Sequence, residues 1–171
     1  MWAWLVSLFN RFKPLSLPFP EEKPDYSQTV ENVSITDSIN KWLTKYSVPV
    51  EFHNFWRTKI KIYLDPDYQY PSGVWEEGGV RNMRIRPEFV NPGLIAHEQA
   101  HNSYSLLTDS ERQLFSIAYA PLKKTDAYIK LLYRTNTYGL TNDVEAHAEI
   151  YRYIGPEKMP AVLRQYYPKL I

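Results

Sequence analysis

The chain contains no cysteine and no long run of apolar residues. Without cysteine there are no disulfides and no thiolate ligands, so histidine and carboxylate side chains must hold any bound metal ion. A membrane-spanning helix needs about 18 or more apolar residues in succession, and no stretch reaches that length. The formal net charge is only +1, which argues against a broad basic surface for nucleic acid. We therefore expect no transmembrane segment and no nucleic-acid partner.

The N-terminus is a short apolar segment, Trp2 to Phe9, followed by Arg11 and Lys13. A cleaved secretory signal carries its charges before the apolar run and small residues after it. No such signal is recognisable, and a cytoplasmic location is favoured. Two interpretations stay open: the segment docks on the domain as a strand or helix, or residues 2–9 make a weak interfacial contact with a membrane. Four prolines between residues 14 and 24 then indicate an extended linker, which completes an N-terminal region of residues 1–27.

Residues 28–171 are sufficient for one domain with its own core, and their pattern predicts an α+β fold. An amphipathic helix is expected over residues 34–46. Strands are expected at 48–52, 59–64, 74–77 and 82–86. Gly78 and Gly79 lie between the last two strands and indicate a hairpin. We therefore expect a small antiparallel or mixed sheet with an N-terminal helix, followed by a mostly helical C-terminal half.

The C-terminal half begins where the apolar residues take up a helical period. Asn91 is a good N-cap and Pro92 suits the first helical position, so a helix is expected from there to about Ser103. Thr108 and Glu111 form a capping box for a second helix that ends near residue 120. Further helices are expected at about 124–135, from 141 or 142 to 155, and at 158–166.

His97-Glu98-Gln99-Ala100-His101 is an HExxH pattern inside the first of these helices. Residues four apart lie on one helical face, about 5–6 Å apart at Cβ, so the two imidazoles can converge on one tetrahedral ion. Glu98 can then lie beside the ion and accept a proton from its water. The pattern predicts a zinc site with Glu98 as general base; the alternative is a pair of surface histidines.

A catalytic zinc ion needs a third protein ligand. A histidine six residues after the pattern would supply it, but position 107 is Leu. A later helix offers acidic residues instead, and Glu145 and Glu149 share one of its faces, so both can reach the site. The side chain of His147 points to almost the opposite side of the helix. His147 is therefore expected at the surface, or in contact with a ligand residue rather than with the metal itself.

The two motifs together resemble those of the gluzincin family of zinc metallopeptidases. Glu145-Ala146-His147-Ala148-Glu149 is similar to the glutamate helix of that family, written ExxAD or ExxxD, with Glu149 in place of the usual Asp. The resemblance implies zinc held by His97, His101 and Glu145. It also implies that Glu149 accepts a hydrogen bond from a ligand histidine, which fixes the tautomer of that histidine. Residues 28–171 would then form a single zincin-like domain that hydrolyses peptide bonds in a peptide or protein substrate.

Zincin peptidases have an antiparallel edge strand above the cleft, just before the strand that leads into the HExxH helix. The resemblance assigns that position to Val74, Trp75, Glu76 and Glu77. An edge strand can bind an extended peptide by strand addition, although an ordinary hairpin arm is equally compatible with this sequence.

Two roles remain open. Tyr138, Tyr151, Arg152 and the C-terminal tyrosines are candidates for stabilising an oxyanion, and the sequence does not choose among them. The alternative function is an inactive or latent zincin-fold binding or regulatory module, in which the tail, residues 164–171, fills the cleft.

Overall fold

The computed structural model describes residues 33–135 and 137–171, which form an α+β fold that is mostly helical. The elements in chain order are α1 (Val33–Lys45), α2 (Val50–Lys59), β1 (Ile60–Leu64), β2 (Ser72–Glu77), β3 (Val80–Ile85), α3 (Pro92–Ser105), α4 (Asp109–Tyr119), α5 (Leu122–Thr125), α6 (Ala127–Thr135), α7 (Asp143–Lys158) and α8 (Ala161–Arg164). The expected apolar segment and linker, with the membrane contact proposed for residues 2–9, lie outside the described residues. None of the described helices is long and apolar enough to cross a membrane.

The three strands form a mixed sheet in the order β1-β3-β2, with β1 parallel and β2 antiparallel to β3. The predicted hairpin is confirmed: Gly78 and Gly79 join β2 to β3 with φ values of 59° and 75°, as a tight two-residue turn requires. Within the described residues β3 is the only strand paired with β2, so β2 lies at an edge. Val74 pairs with the buried Met83, so this face of β2 points towards the core.

The strand predicted at residues 48–52 is wrong, because the helix α2 begins at Val50. Val50 is 77% exposed, whereas Trp56 is almost fully buried. Phe52, Phe55 and Trp56 follow the three- and four-residue spacing of a helix, and they pack on the core with that spacing. The β-forming residues near Val48 favoured a strand and obscured this helical spacing in the sequence.

The helix predicted at about 124–135 is interrupted. Asp126 has an extended backbone between α5 and α6, and its Oδ1 accepts hydrogen bonds from the backbone N–H groups of Tyr128 and Ile129, each at 2.9 Å. Asp126 is therefore an N-cap, which starts a new helix. The last helix is also shorter than predicted, since α8 covers only Ala161–Arg164.

The helices α3 and α7 start where the sequence predicts, and each has an asparagine N-cap. The Oδ1 of Asn91 accepts from the backbone N–H of Leu94, and that of Asn142 accepts from the backbone N–H of Glu145, both at 2.9 Å. The two helices pack against each other, and α3 also contacts α1 and β2. This packing buries α3 on almost every side, so His97, Glu98 and His101 lie on a closely packed helix.

The C-terminal tail packs behind these two helices. The side chains of Tyr167 and Leu170 are fully buried. Ser103 Oγ donates to the carbonyl of Pro168 at 2.8 Å, and Trp56 Nε1 donates to that of Lys169 at 2.6 Å. The tail therefore forms part of the core.

We expect Leu170→Ala to lower the free energy of unfolding by about 2–5 kcal/mol, because it leaves a cavity in the core. The matched control is Leu114→Ala. Leu114 is 49% exposed, so its loss should change stability by less than about 0.5 kcal/mol. Urea denaturation measures both, and equal small effects would show that the tail is not an integral part of the core.

Candidate metal centre

Three side chains from two helices converge at one point. The Nε2 atoms of His97 and His101 are 2.9 Å apart, as their positions one turn apart on α3 allow. Glu145 enters from α7, and its Oε2 lies 3.4 Å from His97 Nε2 and 3.5 Å from His101 Nε2. These three residues form a group that can hold a metal ion.

The spacing of these atoms fits a tetrahedral ion with one open position. Two ligand atoms bound at about 2.0–2.1 Å in a tetrahedral shell are about 3.3–3.4 Å apart. The three atoms here lie on a circle of radius about 1.9 Å. This radius is slightly less than one such bond length, so an ion just above the plane of the three atoms would be at bonding distance from each of them. In addition, Glu145 Oε2 is buried and makes no hydrogen bond within the described part of the chain. A cation would satisfy this oxygen, so the residues fit the ion.

Glu149 contacts the imidazole of His97 on the side of the ring that faces away from the metal centre. Its Oε1 lies 2.6 Å from Nδ1 of His97, which is the distance of a charge-assisted hydrogen bond. In the neutral ring that a metal ion requires, the proton stays on Nδ1 and the lone pair of Nε2 faces the centre. Glu149 is only 1% exposed, and Arg152 Nη1 donates to the same oxygen at 3.4 Å. Glu145 thus faces the centre while Glu149 lies behind His97.

The pKa values of His97 and Glu145 in the metal-free centre reflect the contacts between these two residues. Burial lowers the pKa of His97, but the carboxylates of Glu145 and Glu149 raise it by more, to about 9. Burial raises the pKa of Glu145, but the imidazoles of His101 and His97 lower it by more, to about 2. The surroundings therefore favour a positive charge among these groups, and a divalent cation would supply it.

Glu98 lies next to this group and is 4% exposed. Its Oε1 accepts a hydrogen bond from the hydroxyl of Ser72, at the start of β2. Ser72 was not among the predicted residues, because the strand was expected to start at residue 74. The register of the hairpin could have revealed it, since Ser72 and Val74 lie on the same face of β2.

A groove of about 500 Å³ opens over the centre. Its lining residues come from β2, α3, α4, the turn before α7 and α7 itself: Ser72, Gly73, Val74, His97, Glu98, His101, Tyr104, Ser105, Arg112, Tyr138, Val144 and Glu145. Of the four strand residues expected to bind substrate, Val74 lines the groove, whereas Trp75, Glu76 and Glu77 do not. Trp75 instead lies 5.8 Å from the ring of Tyr63. No residue of the tail, 164–171, is among the lining residues.

Among the candidates for oxyanion stabilisation, Tyr138 is the one that lines the groove. Its ring centroid lies 6.1 Å from that of His97. Burial and the Glu145 carboxylate raise the pKa of Tyr138 to about 12. The next residue, Gly139, lies against Glu149: a Cβ at this position would be 3.1 Å from Glu149 Cβ. The turn that carries Tyr138 is thereby held close to α7.

His147 points away from the centre, as its helical spacing predicts, but it is fully buried rather than on the surface. Its ring stacks on Tyr167 at 3.8 Å, and its Nε2 donates to the carbonyl of Tyr166 at 2.6 Å. Burial lowers the pKa of His147 to about 3, so the ring is neutral. His147 therefore joins α7 to the C-terminal tail.

Comparison of the chain with protein-family models, with curated proteins and with solved structures gives no match.

We expect His101→Ala to abolish stoichiometric binding of zinc, because it removes one of three ligands. Glu149→Gln should weaken binding by about 10–100-fold, since the amide orients His97 less strongly. The matched controls, His53→Ala and Glu157→Gln, change the same residue types outside the group and should bind zinc like the parent. Competition with a chromogenic chelator measures all four affinities. Unchanged affinity in His101→Ala would contradict the site.

Proposed function

We propose that this protein is a zinc-dependent peptidase of zincin-like fold. The observation that carries the proposal is the convergence of His97, His101 and Glu145 in an open groove, with the Glu98 carboxylate beside them. Zinc bound there would polarise the scissile carbonyl and lower the pKa of the attacking water to about 7. The HExxH pattern and the glutamate helix support this choice of metal and reaction.

Glu98 is the general base in this proposal. Ser72 donates a hydrogen bond to Oε1 of Glu98, which fixes the carboxylate and leaves Oε2 to accept the proton of the attacking water. Glu98 then passes this proton to the leaving amine, so one side chain acts first as base and then as acid. Because Glu98 is on α3 between the two histidines, the geometry of the helix sets its distance from the ligands.

The edge strand β2 is the proposed docking site for the substrate backbone. Ser72, Gly73 and Val74 form one wall of the groove, and α3 forms its floor. A peptide laid along β2 in an extended conformation would extend the sheet by one strand and would pass over His97, His101 and Glu145. This arrangement favours a peptide or protein substrate.

Tyr138 is the proposed donor to the oxyanion that forms as water attacks. A pKa of about 12 keeps its hydroxyl protonated at neutral pH, so it can donate a hydrogen bond. Tyr138 lines the groove, so a rotation of its side chain would bring the hydroxyl to the substrate. The tail packs behind α3 and α7, which argues against the alternative of a latent module blocked by its own C-terminus.

We expect Glu98→Gln to lower the rate of peptide hydrolysis by about 10²–10⁴-fold, because the amide cannot accept a proton. Zinc affinity and thermal stability should remain close to those of the parent. The control is Glu51→Gln, an exposed change on α2. Turnover of a labelled unfolded protein by the zinc-loaded variants provides the measurement. Full activity of Glu98→Gln would rule out the mechanism even if zinc were bound.

We expect Tyr138→Phe to lower kcat by about 10²-fold while KM and zinc affinity change little, because the lost hydrogen bond acts on the transition state. Tyr153→Phe is the control, since Tyr153 is similarly exposed, at 57% against 53% for Tyr138, but lies outside the groove. Steady-state kinetics on one peptide separates the two parameters. An effect confined to KM would assign Tyr138 to substrate binding instead.

A further inference from the structure

Arg112 brings a positive charge into the groove. It is the one Lys or Arg among the described residues that line this groove, and it comes from α4, outside both motifs. The groove also contains the carboxylates of Glu98 and Glu145, whose two negative charges a divalent cation would balance. This inference rests on the proposed function. Once the divalent cation balances the two carboxylates, the positive charge of Arg112 is the net charge of the groove that a substrate encounters.

The guanidinium of Arg112 is held in place by neighbours that leave it able to bind. Its Cζ lies 5.5 Å from the ring centre of Tyr104, and Nη2 donates to the carbonyl of Ser105 at 3.3 Å. Nη1 lies 3.3 Å from Asp109, whose side chain is 94% exposed, so this ion pair is weak. The Nε atom is buried and has no hydrogen-bond partner within the described residues. One N–H on each of the two Nη nitrogens therefore remains for a ligand.

The position of Arg112 relates it to the reacting centre. Its contacts, Tyr104 and Ser105, follow His101 by three and four residues on α3, which is about 4.5–6 Å along the helix axis. An extended peptide advances about 3.3 Å per residue. A substrate group that reaches Arg112 therefore belongs to a residue one or two positions from the bond over the ligand group.

We propose that Arg112 binds a carboxylate of the substrate, so that the preferred substrates are peptides with an acidic group close to the cleaved bond. Arginine suits this role because its planar fork pairs with both oxygens of a carboxylate. The carboxylate comes either from an Asp or Glu side chain or from the C-terminus of a short peptide. Both sources present the same carboxylate group to the guanidinium of Arg112.

The experiment uses ten-residue peptide mixtures in which one position at a time is fixed as Glu, Gln or Lys, each made with a free and with an amidated C-terminus. Turnover is measured on the zinc-loaded full-length protein by mass spectrometry. Binding is measured separately on zinc-loaded Glu98→Gln, by competition with a fluorescent peptide, so this readout does not depend on hydrolysis. The variants are Arg112→Gln, Arg112→Lys and Arg112→Glu, with Arg57→Gln as control because Arg57 is exposed on α2, outside the groove.

At one position, or with the free C-terminus, we expect at least about tenfold preference for the acid over its amide, the effect of a charge-assisted hydrogen bond. Arg112→Gln should abolish this preference, Arg112→Lys should retain part of it, and Arg112→Glu should shift it towards Lys. Arg57→Gln should leave it unchanged. A preference at an internal position identifies a side-chain carboxylate, and one lost on amidation identifies the C-terminus.

Equal binding of Glu and Gln peptides and of free and amidated peptides, or a preference that persists in Arg112→Gln, would overturn the proposal. If the wild-type protein cleaves no peptide, the peptidase function fails, and the binding comparison alone then decides whether Arg112 forms a carboxylate site. If cleavage occurs without any preference for an acidic group, the peptidase function stands and the role of Arg112 is wrong.

Discussion

The candidate site depends on one buried contact, between Nδ1 of His97 on α3 and Oε1 of Glu149 on α7, at 2.6 Å. A carboxylate that is 1% exposed has lost its water and is stable only with charged or hydrogen-bonding partners. His97 supplies such a partner from α3 and Arg152 supplies one from α7 itself, so separating the two helices would remove the shorter of these two contacts. The same contact orients the His97 ring, which places its Nε2 opposite Glu145.

Each face of α7 has a separate role. Glu145 and Glu149 are on the face towards α3, where charge and hydrogen bonding dominate. His147 and Tyr151 point away from the metal centre, where Tyr167 stacks on both rings, at 3.8 Å and 5.8 Å; His147 also packs on Tyr104 of α3, at 5.1 Å. The aromatic packing behind the helix stabilises the polar arrangement in front of it. The C-terminal residues thus support the site without entering the groove.

The sequence predicted that His97, His101 and Glu145 come together, because they lie on regular helices where spacing fixes direction. It also predicted the hairpin, whose turn depends on two glycines. It did not predict that Arg112 reaches the groove, where its guanidinium contacts Tyr104 and Ser105 across the short turn between α3 and α4. The helix α2 was missed because Val48 to Phe52 has β-forming residues, while the burial of Trp56 favours a helix. Local periodicity therefore predicted which side chains converge at the centre, and tertiary packing decided their surroundings.

The close approach of Gly139 to Glu149 has a consequence for the detection of distant relatives. A Cβ at position 139 would require the turn with Tyr138 or the helix with both glutamates to shift by a few tenths of an ångström. This geometry therefore favours a glycine directly after the tyrosine, at a fixed distance before the two acidic residues. The combination of HExxH, a Tyr-Gly pair and two glutamates four residues apart is a more selective search pattern than HExxH alone.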